Sequence, residues 1–205
     1  MPVIDLSFEI TGETIPLDHG YPLFSALCRV VRELHGDIRI GVHPIRGVRT
    51  GPGVLSVTEH STLRLRLPSE EIAPYIALAG RDLDLEGHRL RVGIPRVESL
   101  VPAANLASRL VTFRGALAPP PFETHVRQEL SRLEIAAEPL LVPAVRPGWA
   151  GQPIRRVLRI RDRRVIGFAL RVVGLTAEES LRLQETGLGG RRRMGCGLFV
   201  PVGTR

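Results

Sequence analysis

Six histidines, His19, His35, His43, His60, His88 and His125, are the side chains of this sequence best suited to moving protons near neutral pH, since an imidazole ordinarily titrates near about 6.5. No lysine occurs, so all 28 basic residues are arginines, which hold anions well and donate protons poorly. The densest cluster lies near the C-terminus, where residues 187–199 read GLGGRRRMGCGLF, five glycines around the consecutive Arg191, Arg192 and Arg193. Glycine lets a main chain take positive φ and approach a ligand closely with its N–H groups exposed. Clustered guanidinium groups add charge and paired hydrogen bonds. Such a loop suits a phosphate backbone, which makes nucleic acid the first ligand to consider. No Lys-Ser/Thr pair follows the glycines, and the expected helix precedes them, so neither a Walker loop nor a dinucleotide fingerprint is present. The plainer alternative is an arginine hairpin that only caps a domain.

Charge separates the two halves. Residues 1–100 hold 11 arginines and 13 carboxylates, net −2, whereas residues 101–205 hold 17 and 8, net +9. GC-rich coding can favour arginine over lysine, but it does not explain the clustering, which is the footprint expected of a nucleic-acid-binding half. Arg155, Arg156, Arg159, Arg161, Arg163 and Arg164 crowd one expected hairpin. Their expected role is to grip the phosphates of an RNA stem, recognised by shape and backbone because its narrow major groove is hard to read; a charged edge strand that resists aggregation is the alternative. Aromatics make up only 4% of residues, so a surface of stacked aromatic platforms is poorly supported. Two cysteines, Cys28 and Cys196, are too few for a disulfide framework or a cysteine-based zinc site. No basic region followed by an apolar core opens the chain and no long uncharged apolar run follows, which predicts a soluble cytoplasmic protein.

The elements that must position these residues follow from periodicity. Residues 3–10 alternate as a strand, and residues 21–34 place Leu23, Phe24, Leu27, Val30, Val31 and Leu34 at helical spacing. Residues 62–68 alternate cleanly and end at Pro68, a helix is expected from 69 to about 79, and residues 82–94 read as a strand pair turning at residues 86–88. After a short Pro/Ala-rich linker at 101–105 the order repeats: strand 109–115, helix 122–133 behind the breaker Pro119-Pro120-Pro121, an extended stretch 140–145, a hairpin 156–173, a helix from the capping box at Thr176 to Glu185, and a final strand 198–202. The expected fold class is α+β, two tandem ferredoxin-like (RRM-like, βαββαβ) domains at 1–101 and 106–205, the second carrying the basic hairpin and the glycine-rich loop.

The segments DHGYPL at 18–23, HPIRG at 43–47, GFALRV at 167–172 and GLGGRRRMGCG at 187–197 resemble, over essentially the whole chain, the CRISPR repeat-processing endoribonucleases of the RAMP superfamily, specifically the type I MYXAN subtype. The resemblance implies two ferredoxin-like domains and cleavage of precursor CRISPR RNA within each repeat. It further implies no metal or other cofactor, and 5′-hydroxyl and 2′,3′-cyclic phosphate ends. Implied partners are the repeat RNA, as precursor and mature crRNA, and other subunits of a type I effector complex.

That reaction needs a base for the ribose 2′-OH, a proton for the departing 5′-oxygen and positive charge on the phosphorane. In the superfamily the catalytic histidine lies in or around the first helix, sometimes with a tyrosine. This makes His43 and His19 the candidates here, with Tyr21 as orienter or acid and Arg46 as a phosphorane clamp. His43, in a Pro/Gly-rich loop beside Arg46, is the favoured base, with His19 either capping the helix or orienting the phosphate. His35 is expected to complement the helix C-terminus, His88 and His125 to be solvated, and His60 stays open. RNA contact is expected from the six hairpin arginines and from Gly187, Gly189, Gly190, Arg191, Arg192, Arg193, Gly195 and Gly197. A non-catalytic RNA-binding subunit of a CRISPR effector is the alternative function, and a DNA regulator of the same fold a third.

Overall fold

In the computed structural model, which describes residues 2–203, two compact units form. The first ends at Ser99 and also takes in Arg192–Gly195; the second begins at Leu100 and includes the residues from Cys196 on. Met1 and Arg205, the outer bounds of the two expected domains, lie outside the described residues.

The first unit is built on β1 (Val3–Gly12), whose even-numbered side chains Ile4, Leu6, Phe8 and Ile10 are all buried. The two-residue period of a strand puts them on one face, where Leu23, Phe24 and Leu27 of helix α1 (Gly20–Val30) join the same core. After β2 (Thr14–Pro16) and α1 come β3 (Gly41–Val42), β4 (Val48–Gly51), β5 (Val54–Ser56), β6 (Thr62–Pro68), helix α2 (Ile72–Ile76), β7 (Asp82–Leu85) and β8 (His88–Ser99). The main sheet runs β3-β6-β1-β8-β7 with every neighbouring pair antiparallel, and β2-β5-β4 form a small separate sheet. With β7 set aside, that is the strand order of a ferredoxin-like βαββαβ unit.

The second unit repeats it: β9 (Asn105–Val111), α3 (Pro119–Arg132), β10 (Glu138–Leu141), β11 (Arg155–Ile160), β12 (Arg163–Val173), α4 (Ala177–Thr186) and β13 (Val200–Pro201). Its sheet runs β10-β12-β9-β13, with β11 paired to β12. Phe122, Val126 and Leu130 of α3 and Leu183 of α4 meet Leu106, Phe168, Leu170 and Val172 in its core.

Several boundaries depart from the periodicity. Helix α1 stops at Val30, since Val31 turns extended at φ −119° to bury its side chain, and a 3-10 turn, Arg32–His35, follows. Consecutive β-branched residues make that exit cheap. Residues 69–79 form a 3-10 turn and then the short α2, because an α-helix begun at residue 69 would need the backbone donor that Pro74 lacks. Pro119, Pro120 and Pro121 do not precede α3 but open it, in the one turn whose N–H groups have no helical acceptor. Strand β9 lies at 105–111 instead of 109–115, its start masked by the buried polar Ser108. Strand β8 runs on to Ser99 through Pro95, which sits at a register shift against β1 where a missing N–H is tolerated.

Candidate nucleic-acid interface

The first unit holds a buried charge cluster on the sheet face turned away from α1. Asp5 of β1 lies opposite Arg66 of β6, and the Arg66 guanidinium donates to both carboxylate oxygens, Nε to Oδ1 and one terminal nitrogen to Oδ2, each at 2.8 Å. Arg64 stands 3.7 Å from Oδ2, and His43 Nε2 lies 3.4 Å from Oδ1, too long and oblique for a good hydrogen bond. Burial alone would raise the Asp5 pKa. The Arg66 hydrogen bonds, with His43 second, hold it instead well below the usual carboxylate range. His43 is only 5% exposed, and its pKa falls to about 4, first through burial and then against Asp5 by the nearby arginine charges. Arg192, from the C-terminal loop, reaches the same group, its pKa drawn down to about 10 by burial and by Arg66.

His19, immediately before α1, is also buried. Its Nε2 accepts from the Ile45 N–H at 3.0 Å and its Nδ1 sits 2.9 Å from the Pro16 carbonyl oxygen. An accepting Nε2 puts the proton on Nδ1, so this imidazole is a neutral strut tying β2 and the start of α1 to the loop holding His43. Arg46 is exposed and its carbonyl accepts from Ser61 Oγ at 2.6 Å, while Tyr21 is half-buried against the first core.

His35 is exposed where the 3-10 turn after α1 ends. Its ring stacks on Phe24, with centroids 6.2 Å apart, and the Arg193 guanidinium sits 5.4 Å over that same phenylalanine. Arg193 donates to the Leu34 carbonyl at 3.0 Å and to the His35 carbonyl, a cation set against the open carbonyls that end a helical turn. Of the other histidines, His88 bonds Thr14, His125 bonds the Pro121 carbonyl on the surface of α3, and His60 stands exposed near Glu59.

The glycines of the C-terminal loop serve backbone packing as well as exposure. A Cβ on Gly195, at φ 81°, would come within 2.9 Å of the Pro44 ring next to His43, and one on Gly197 would strike the Leu188 carbonyl. Gly189, Gly190 and Arg191 are exposed, with the Gly190 N–H held by the Thr112 carbonyl at 3.1 Å. In the second unit, β11 and β12 turn through Arg161 and Asp162, with Arg161 at φ 52°. Arg159 lies directly opposite Arg164, which sets two like charges side by side on the hairpin. Arg155, Arg159, Arg161, Arg163 and Arg164 are exposed, and Arg156 is half-buried with its Nε unpartnered.

Residues 4–204 match the sequence model of the family described as Cas6 Crispr. The chain belongs to the Cas6 family. It is 41% identical over 203 residues to the CRISPR-associated endonuclease Cas6 of Myxococcus xanthus (strain DK1622), covering 99% of this chain and 83% of that protein. A solved Cas6-related structure from Pyrococcus furiosus superposes with a TM-score of 0.67 at 12% identity, covering 99% of this chain and all of that one. A RAMP protein that binds different RNA substrates gives 0.65 at 11% identity over 96% and 98% of the two chains. These likenesses establish the tandem ferredoxin-like fold for this Cas6 chain. Periodicity gave no warning of its Asp5–Arg66 pair, because Arg64 and Arg66 alternate with leucines as a solvated strand face would.

Proposed function

We propose that this Cas6 protein is an endoribonuclease that cuts precursor CRISPR RNA within its repeats, without a metal, and leaves 5′-hydroxyl and 2′,3′-cyclic phosphate ends. The 41% identity to a Cas6 endonuclease over nearly the whole chain carries this reading. It acts in the cytoplasm on repeat RNA and hands the mature crRNA to a type I effector complex. Its two working domains are 1–101 and 106–205, the second gripping an RNA stem through the β11–β12 arginines, with the glycine-rich residues 187–197 as further RNA contacts.

Differences in exposure support His35 as the base. His19 has both ring nitrogens engaged and His43 is buried, whereas His35 is open and adjoins Arg193. His35 takes the proton from the ribose 2′-OH, O2′ attacks the adjacent phosphorus, the bond to the 5′-oxygen breaks, and that oxygen takes up a proton. Arg193 stabilises the charge on the phosphorane without giving up a proton. His19 holds the 43–47 loop, which carries His43 and the exposed Arg46, through the Ile45 N–H. The contact between His43 and Asp5 favours a second reading, in which RNA binding opens the cluster and His43 is the base.

Cleavage of the cognate repeat RNA in excess EDTA tests all of this. Wild type is expected to cleave, and a substrate with 2′-deoxyribose at the scissile nucleotide is expected to survive. His35→Ala is expected to lose about 10²- to 10⁴-fold in rate with RNA affinity kept. A loss of that size in His43→Ala alone would move the base to His43. Tight binding without cleavage under any condition would make the protein a scaffold.

A further inference from the structure

The connection between β10 and β11 is an ordered arm. Val142 N–H donates to the Ala169 carbonyl (3.1 Å), Ala169 N–H to Ile154 (3.0 Å) and Ile154 N–H to Val142 (2.8 Å), which ties its base to β12. Farther out, Ala144 N–H donates to Gln152 (2.8 Å) and Gly151 N–H to Ala144 (3.1 Å), beside a bridge between Pro143 and Pro153. The tip is closed by Trp149 N–H to Arg146 and Gln152 N–H to Trp149, each 3.1 Å. This scaffold holds out Trp149, 60% exposed, and Val145, 93% exposed, on either side of Arg146 and Pro147.

With the chain's single tryptophan 60% exposed, part of a large burial gain is forgone, a gain that a bound partner would recover. Charge identifies the partner's class. From Pro139 to Arg161 the chain carries five arginines, Arg146, Arg155, Arg156, Arg159 and Arg161, and not one carboxylate. The arm is hydrogen-bonded to the strand that carries Arg163 and Arg164, so the indole stands on the same rigid element as the basic hairpin. An indole face beside arginine on a positive surface is what an unpaired base with its phosphate needs, because every base presents a π-face whatever its sequence.

We propose that Trp149, with Arg146, forms a stacking platform for an unpaired nucleotide flanking the RNA stem held by the β11–β12 arginines. This site rests on the reading of the protein as an RNA-binding one and extends it from duplex backbone to single-stranded flank. It places an aromatic contact where composition argued against aromatic platforms.

Because Trp149 is the sole indole, its fluorescence reports the site directly. Full-length protein is titrated with a repeat hairpin carrying single-stranded flanks and with the same hairpin cut flush, both 2′-deoxy at the scissile nucleotide, while the anisotropy of labelled RNA follows binding independently. The flanked RNA is expected to quench Trp149 and the flush stem to leave it nearly unchanged. Trp149→Ala is expected to weaken the flanked complex about tenfold and the flush one little, with Trp149→Phe recovering most of the loss. Saturating anisotropy with unchanged emission, or equal weakening of both RNAs, overturns the platform and leaves the RNA-binding function standing. Emission that changes only when an effector subunit is added overturns it in favour of a protein contact. No anisotropy change with either RNA removes the functional reading itself.

Discussion

Burial divides residues that look alike in sequence. His43 carries a folded pKa of about 4 against an ordinary 6.5, so the unfolded chain binds a proton there that the folded chain refuses. A depressed pKa of this kind contributes stability fully present above about pH 6.5 and lost as pH falls towards 4, about 3 kcal/mol over the window. Denaturant midpoints followed from pH 7.5 to 4 are expected to fall across that range in wild type and to flatten in His43→Gln. Asp5, also depressed, extends the loss below the ordinary carboxylate range. Asp5→Asn removes the carboxylate charge facing the buried Arg66 guanidinium and is expected to cost about 3–5 kcal/mol by urea unfolding. Arg161 is the reverse case: its left-handed φ of 52° suits glycine better, so Arg161→Gly is expected to gain about 1 kcal/mol in stability while RNA binding weakens. A rise in both would deny that residue a place on RNA.

Elements carry the next level of the argument. Helix α4 starts with Thr176 Oγ1 accepting from the Glu179 N–H at 3.2 Å while Glu179 accepts from the Thr176 N–H at 2.8 Å, the reciprocal box visible in the residues at 176–179. Thr176→Ala is expected to lower stability by about 1 kcal/mol and, by loosening the helix that leads into the glycine-rich loop, to raise that loop's hydrogen exchange. Strands were legible where one face is apolar, as at 62–68, which the structure reproduces residue for residue. They were obscure where a bulge intervenes, as in β8 beyond Ile94, and the three-residue strands β2 and β5 carry too few alternations to be seen. Among the described residues, no helix is long and apolar enough to cross a membrane.

At the scale of the whole molecule, charge is the dominant variable, with a net +7 concentrated in the second half. Binding to repeat RNA is therefore expected to weaken steeply with salt. Replacing Arg155, Arg159, Arg163 and Arg164 by glutamine should reduce the slope of log affinity against log salt by roughly one for each phosphate contact removed. An unchanged slope would take those arginines off the RNA. By itself the sequence determined the α+β class, the repeated element order, the family resemblance and the basic half, because periodicity, caps and charge are local or additive properties. Tertiary structure decided which histidines meet solvent, that Asp5 and Arg66 pair 61 residues apart, and that four loop residues, Arg192–Gly195, join the first unit. Those outcomes depend on register across the sheet and on burial, and both arise only when distant segments share a core.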